Sequence, residues 1–309
     1  MRTFSLFFIL ALFLGVCSCS DSDSYNADTA KSSYQPNIVE KSRMVASVKT
    51  TNTLDGRNYS WEHKFAYDVQ GRIKEINSQM LHHQRVYDKI NDIDHWYECH
   101  ITSKANYYFK GKKLEVDYAV EKVYPEAPER NHTDSGSNYG HFNEAGVLEE
   151  FASIDFVYSA TSLQRAYVDG GTFYEFVRSR GDVTGFVKYF EPADSIIKER
   201  SNEYTYAVRK NITNFDFSAY FGYWEIEQNI IANRSPYYAS YQLGAFGFLG
   251  AVSVNLPLGQ KMYDGNGKPQ LDSNGVHSYG YGEWKYDSAG RPAEFTDATG
   301  RKTVVTYVE

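Results

Sequence analysis

The stretch YSWEHKFAYDVQGRIKEI, residues 59–76, determines the fold that we expect for this chain. In residues 59–67, aromatic side chains and one histidine occupy the odd positions, and small or charged side chains occupy the even positions. This alternation is typical of a β-strand with one buried face, because successive side chains of a strand point to opposite faces. Asp68 and Gly71 then provide a turn, since Asp supplies a side-chain acceptor and Gly tolerates a positive φ. A returning strand, residues 72–76, completes a hairpin.

Two further copies of this unit occur, FNEAGVLEEF at residues 142–151 and WKYDSAGRPAEF at residues 284–295. In each copy an aromatic residue precedes Asp or Asn, a glycine follows three residues later, and a hydrophobic residue ends the unit. Partial copies of the turn occur at residues 263–267, 272–275 and 297–301. A succession of such hairpins predicts an antiparallel meander.

The composition supports a folded, β-rich chain. The 309 residues include 27 Tyr, 19 Phe and only 8 Pro, and 42% are hydrophobic, which excludes a mostly disordered protein. Alternation at residues 114–121 and 215–221 predicts two more strands with one buried face. Helical periodicity is confined to residues 224–231 and 241–249. We therefore predict an all-β fold, an antiparallel meander forming a strongly curved sheet or barrel, with one or two short helices near residues 224–250.

The N-terminus has the pattern of a secretory signal. Arg2 precedes an apolar run, residues 4–16, in which only Ser5 is polar. The run fits a signal-peptide core and is shorter than the about 20 apolar residues that a membrane-spanning helix requires.

Cysteines follow this run directly, and the segment resembles a bacterial lipoprotein signal, in which cleavage before a cysteine frees that residue to carry lipid. Both Cys17 and Cys19 fit this role, and Ser18 makes the better small-residue cleavage site. We expect residues 1–18 to be the signal peptide and Cys19 to be the lipid anchor. The alternative is an ordinary signal peptide without lipid.

Polar residues then predict a flexible tether over residues 19–37, followed by a single β-rich domain over residues 38–309. The acidic start of the tether, residues 20–23, resembles the signal that exports Bacteroidota lipoproteins to the outer face of the outer membrane; the alternatives are a plain solvated linker and the periplasmic face. Thr29, between Asp and Ala, resembles a Bacteroidota O-glycosylation acceptor. Cys99 has no disulfide partner once Cys19 is lipidated, so we expect it to be a buried small hydrophobe.

The chain as a whole resembles a family of Bacteroidota lipoprotein domains of unknown function with a porin-like fold, and it shares a turn pattern with tyrosine-aspartate repeat proteins. The lipoprotein start, the units at residues 67–72 and 286–291, and the glycine-rich residues 243–250 followed by 255–257 carry the resemblance. It covers most of the chain from about residue 45. The resemblance implies a fold and a cell-envelope location, and no mechanism, because the family has no established activity.

The sequence lacks the residues that several kinds of function require. The net charge of −7 disfavours nucleic acid, whose phosphates attract clustered Lys and Arg. The cluster DHWYECH, residues 94–100, is the densest metal-like group, but on a strand His95 and Cys99 would lie about 13 Å apart, too far to share an ion. The chain has no nucleophile elbow, P-loop or dinucleotide-binding glycine motif. We therefore expect no metal, no cofactor and no catalytic residues.

Aromatic residues outside the repeats are the candidate binding site. Tyr223, Trp224, Tyr237 and Tyr238 have polar neighbours, and sugars stack on such rings. The alternative is that these rings plug one end of the sheet. We expect a lipid-anchored binding or interaction protein at the cell surface, whose ligand is a glycan or a partner protein. The alternatives are a structural spacer for envelope assembly and, behind it, a hydrolase with a dispersed carboxylate site.

Overall fold

A computed structural model describes residues 39–88, 93–168, 171–192, 195–222, 242–270, 278–280, 282–297 and 299–309. These residues belong to the compact unit Lys31–Glu309; the other unit, Met1–Ala30, lies outside them. They form 17 strands of one sheet, together with one short α-helix and two 3-10 turns. Every pairing in the sheet is antiparallel, which confirms the predicted all-β fold.

The strands follow one another along the chain with short connections. They are β1 (Val45–Leu54), β2 (Arg57–Tyr67), β3 (Ile73–Asp88), β4 (Ile93–Lys110), β5 (Lys113–Val123), β6 (His132–Phe142), β7 (Leu148–Phe151), β8 (Ile154–Ser159), β9 (Ser162–Val168), β10 (Thr172–Ser179), β11 (Asp182–Phe190), β12 (Ile197–Lys210), β13 (Asn255–Asp264), β14 (Ser278–Gly280), β15 (Lys285–Tyr286), β16 (Pro292–Thr296) and β17 (Lys302–Tyr307). The helix α1 is Phe217–Gly222, and the 3-10 turns are Lys41–Arg43 and Pro128–Arg130.

The sheet curls until its last strand meets its first. Each strand pairs with the next one along the chain, and β17 pairs with β1. One step is missing, because no backbone pairing joins β14 to β15 in the part of the chain that is described. The strand before this gap, β14, ends at Gly280, and the strand after it, β15, begins at Lys285. Only a short segment of chain therefore separates the two strands. The predicted meander is therefore a strongly curved sheet that is not closed.

The repeated Asp-Gly turns share one hydrogen-bond pattern. In the first, Asp68 Oδ1 accepts the backbone N–H groups of Gln70 and Arg72 at 2.9 and 3.0 Å. The Nε of Arg72 donates to Asp68 Oδ2 at 2.7 Å, which fixes the side chain against the turn. The backbone pattern recurs in the turns that begin at Asn143, Asp264, Asp287 and Asp297. These hairpins confirm the predicted turns, except for residues 272–275, which lie outside the described residues.

Alternation along the long strands separates a core face from an outward face. On β4, Cys99, Ile101 and Tyr107 are buried, whereas Lys104 and Tyr108, between and beside them, are exposed. The same period-two pattern buries four residues of β5, as the alternation at residues 114–121 predicts.

The described parts of the segment between β12 and β13, residues 211–222 and 242–254, contribute to the interior, and one strand prediction fails there. Residues 215–221 were expected to form a strand, but α1 occupies most of them. Asp216 caps this helix: its Oδ1 accepts the N–H groups of Ser218 and Ala219 at 2.8 and 3.0 Å. Residues 213–220 are all buried, at odd and even positions alike, so neither face of this stretch is left for water.

The returning half of this segment completes the interior. Residues 243–249 form turns, so the helix expected near residues 224–250 is not found in the described part of that range. The ring of Phe246 packs 5.1 Å from Phe65 of β2 and 5.3 Å from Phe215. Asp216 Oδ2 accepts the N–H of Ser253 at 2.7 Å, which ties the two halves together.

Candidate functional site

The residues singled out in the sequence for ligand and lipid lie outside the described residues. They are the stacking candidates Tyr223, Trp224, Tyr237 and Tyr238, the anchor Cys19 and the O-glycosylation candidate Thr29. The residues on either side of the stacking candidates belong to the interior: Phe221 packs 5.4 Å from Phe295, and Leu243 is fully buried. The four rings stay candidates on the strength of the sequence alone.

The metal-like cluster is a strand, as expected. Cys99 is fully buried on the core face of β4, whereas His100 is exposed on the other face and its Nε2 lies 2.7 Å from a carboxylate oxygen of Glu98. Within the described ranges, no group of three or more His, Cys, Asp or Glu side chains is placed to hold a metal ion.

Cys99 lies in a polar corner of the core. It faces His82 across the β3–β4 pair, and Lys122 and Gln84 are near, with the Lys122 ammonium donating to Gln84 Oε1 at 3.2 Å. Burial raises the pKa of the Cys99 thiol, and burial lowers the pKa of Lys122. A neutral, enclosed thiol is a poor nucleophile, so we assign Cys99 a structural role.

The outward face of β3, β4, β5 and β6 carries an open depression of about 780 Å³. Eight of its twelve lining residues are exposed, which places its mouth on the side opposite the core. The exposed members are mostly short hydrogen-bonding side chains: Asn77, Gln79, Thr102, Lys104, Ala119, Glu121, Thr133 and Ser135. A ligand lying there would meet amide, hydroxyl and charged groups from four adjacent strands.

Two exposed tyrosines lie on the same outward face. Tyr108 of β4 faces Glu115 of β5, which in turn faces Tyr139 of β6. The three residues thus form one row across the strands, with the two tyrosines about 9.5 Å apart, twice the spacing of neighbouring strands. Tyr108 is 43% exposed and Tyr139 is 57% exposed. Neither ring packs against another aromatic ring in the described part of the chain.

Ion pairs order the face between the tyrosines and the depression. The Lys104 ammonium lies 2.6 Å from Glu75, and hydrogen bonds from Lys104 and Asn77 hold the pKa of that carboxyl below its usual value. On the next row, Ser137 Oγ donates to Asp117 Oδ1 at 2.5 Å. These contacts fix side chains that would otherwise rotate freely, so the polar groups are held in place before any ligand arrives.

Sequence reasoning missed this face. The hairpin between β4 and β5 turns at Gly111 and pairs Lys110 with Lys113, so the contact between Tyr108 and Glu115 follows from a tight turn. The connection from β5 to β6 contains a 3-10 turn, Pro128–Arg130, and no turn motif fixes its register. The position of Tyr139 opposite Glu115 therefore could not be read from spacing.

The described residues contain no helix that is both long and apolar enough to cross a membrane.

Two solved structures from Bacteroides, both described as porin-like proteins, resemble this chain. The protein from Bacteroides uniformis is 11% identical, with a TM-score of 0.44, and the match covers 85% of this chain and 97% of that chain. The protein from Bacteroides vulgatus is 12% identical, with a TM-score of 0.35, and the match covers 86% of this chain and 98% of that chain. No protein-family model matches the chain, and no curated protein is similar to it. At these levels of similarity, no function passes from either protein to this chain.

Proposed function

We propose that the chain is a lipid-anchored protein of the outer membrane, facing the cell exterior, that binds a glycan on the outward face of β3–β6. The sequence supports the anchor, through the signal-like N-terminus, Cys19 and the acidic residues 20–23. One observation carries the binding function: Tyr108 and Tyr139 are both exposed in one row on this face, and the open polar depression lies on the same strands about 13 Å further along.

The chemistry of this face suits a sugar. A pyranose ring offers a C–H face that packs on an aromatic ring and hydroxyl groups that both donate and accept hydrogen bonds. Tyr108 and Tyr139 supply the rings, and Glu115 between them supplies a hydrogen-bond acceptor. The centre of a protein–protein interface, by contrast, is depleted in charged residues. A partner protein is therefore the less fitting ligand.

Binding is tested by calorimetric titration of envelope and extracellular glycans into the full-length protein in detergent. We expect Tyr108→Ala and Tyr139→Ala each to weaken binding about tenfold, because each removes one stacking surface. Tyr167→Ala is the matched control, since Tyr167 is also exposed but lies on β9, away from this face. Unchanged affinity in both variants would place the site elsewhere. A protein that binds none of the glycans would support the spacer function instead.

Lipidation is tested by labelling with a fatty-acid analogue in cells. We expect Cys19→Ala to abolish the label and Cys17→Ala to retain it, because Ser18 before Cys19 fits the small-residue cleavage site. Loss of the label only in Cys17→Ala would move the anchor to that residue. Protease treatment of intact cells then tests orientation, and a protected domain would place the protein on the periplasmic face.

Modification of the tether is tested separately. Thr29 is flanked by Asp28 and Ala30, the pattern that suggested an O-linked glycan. We expect Thr29→Ala to lower the intact mass by that of the glycan as well as by the side-chain difference. A mass change equal to the side-chain difference alone would reject the modification.

A further inference from the structure

We infer that the ligand of the outward face is a straight, β-linked hexopyranose chain that lies across the strands and makes contact through at least three sugars. This inference rests on the proposed function, since it names the glycan that the same face would take. It follows from the distance between the two tyrosines and from the carboxylate between them.

The two tyrosines fix the repeat of the ligand. Tyr108 and Tyr139 occupy one row, with exactly one strand between them, so about 9.5 Å separates their backbones. In a straight β-1,4-linked chain, successive sugars present opposite ring faces to the same side. The same ring face therefore returns at every second sugar, and the disaccharide repeat is close to two strand spacings. An α-1,4-linked chain curves away and cannot place two sugars on rings in one row.

The residue between the rings meets the middle sugar. Glu115 lies on β5, directly between the tyrosines, and the Lys110 ammonium holds its carboxylate at 3.2 Å. A carboxylate accepts hydrogen bonds from two neighbouring hydroxyl groups of one sugar. The row thus offers a ring, an acceptor and a ring in sequence, which corresponds to three consecutive sugars.

Chain-length dependence tests the inference. Full-length protein in detergent is titrated with β-1,4-linked glucose oligomers from the disaccharide to the hexasaccharide. We expect affinity to rise about tenfold between the disaccharide and the trisaccharide, because only the longer chain reaches both rings. Tyr108→Ala and Tyr139→Ala should each remove this step, Tyr139→Phe should restore it by returning the ring, and Tyr167→Ala should leave it unchanged.

The outcomes separate this inference from the proposed function. Equal affinity for α-1,4-linked and β-1,4-linked chains, or the absence of a step with length, would overturn the inference. If the tyrosine variants still lose affinity in that case, the proposed binding face stands. If wild-type protein binds a glycan and the tyrosine variants bind it equally well, both the face and the inference are wrong.

Discussion

His63 places a titratable ring inside the core, where a hydrophobic residue would be the usual choice. Only 7% of the residue is exposed, and its Nδ1 lies 2.8 Å from Ser78 Oγ on the neighbouring strand. The edge of its ring meets Tyr220 of α1 at 5.7 Å between centroids. Burial lowers the pKa of His63 to about 4, because an enclosed imidazolium loses its solvation by water.

This burial makes stability depend on pH. The unfolded chain binds a proton at His63 near pH 6.5, whereas the folded protein does so only near pH 4. The neutral ring therefore makes its full contribution to the free energy of unfolding above about pH 6.5. This contribution decreases by up to about 3 kcal/mol as the pH falls from there to about 4.

Urea unfolding near pH 7 and near pH 4.5 measures this loss. We expect His63→Gln, which keeps a hydrogen-bonding group opposite Ser78, to lose less stability on acidification than the wild-type protein. Subtracting the loss of stability of the variant from that of the wild-type protein cancels the contribution of the carboxylates, which both proteins share. Equal losses would contradict the assignment of this pH dependence to His63.

At the scale of the element, one aspartate determines the strength of each hairpin turn. Asp297 is 5% exposed and accepts four hydrogen bonds: from the N–H and hydroxyl of Thr299, and from the N–H and Nε of Arg301. The turn at Asn143 keeps the two backbone bonds without an arginine, at 2.9 and 3.2 Å. The chain therefore contains a natural version of the same turn without the ion pair.

We expect Asp297→Ala to lower the free energy of unfolding by about 2 to 3 kcal/mol, because it leaves buried donors without a partner. Asp297→Asn should lose only about 1 kcal/mol, since an amide oxygen can still accept both backbone bonds, as Asn143 does. Chemical denaturation of the two variants gives the comparison, with Asn143→Ala as the reference turn. Equal effects of Ala and Asn at Asp297 would show that the ion pair with Arg301 provides the whole stabilisation.

Elements with one wet face were predictable from the sequence, and enclosed elements were not. Buried and exposed residues alternate along β2 and β5 because one face of each strand meets water. The period of two is therefore visible in the sequence. Residues 215–221 also alternate, yet most of them lie in α1, in an interior that buries every position from 215 to 220. Asp216 was the available signal, as an acidic residue before a short aromatic run can cap a helix. The tyrosine pair was hidden for a different reason, because its register depends on an irregular connection.

At the scale of the whole molecule, side chains join the sheet where backbone pairing is missing. Trp284 Nε1 donates to the carbonyl of Pro257 on β13 at 2.9 Å, and its ring packs 4.6 Å from Phe295. The Arg209 guanidinium of β12 lies 3.4 Å from the centroid of the Tyr286 ring. These contacts cross from the strands before the gap to the strands after it, so a few side chains hold the two edges of the sheet together.

Hydrogen exchange should show this join as the weakest part of the sheet. We expect amides of β15 and β16 to exchange faster than those of β4 and β5, and Trp284→Phe to accelerate them further, because it keeps a ring but removes the bond to Pro257. Trp96→Phe on β4 is the control, since that indole is 40% exposed and lies far along the sheet. Exchange in β15 and β16 that does not change in Trp284→Phe would contradict a role for this bond.

The pairing of β1 with β17 also determines when the sheet can be completed during folding. Thr50 and Thr303 meet there through a buried hydroxyl contact of 2.9 Å, although 253 positions separate them along the chain. During synthesis, β1 leaves the ribosome early, whereas its neighbour β17 is among the last residues to be translated. Closing so long a loop is slow, because its entropy must be lost before the contact is gained. A nascent chain thus stays open until its last strand is made, and one that ends before residue 302 leaves β1 as a bare edge prone to aggregation.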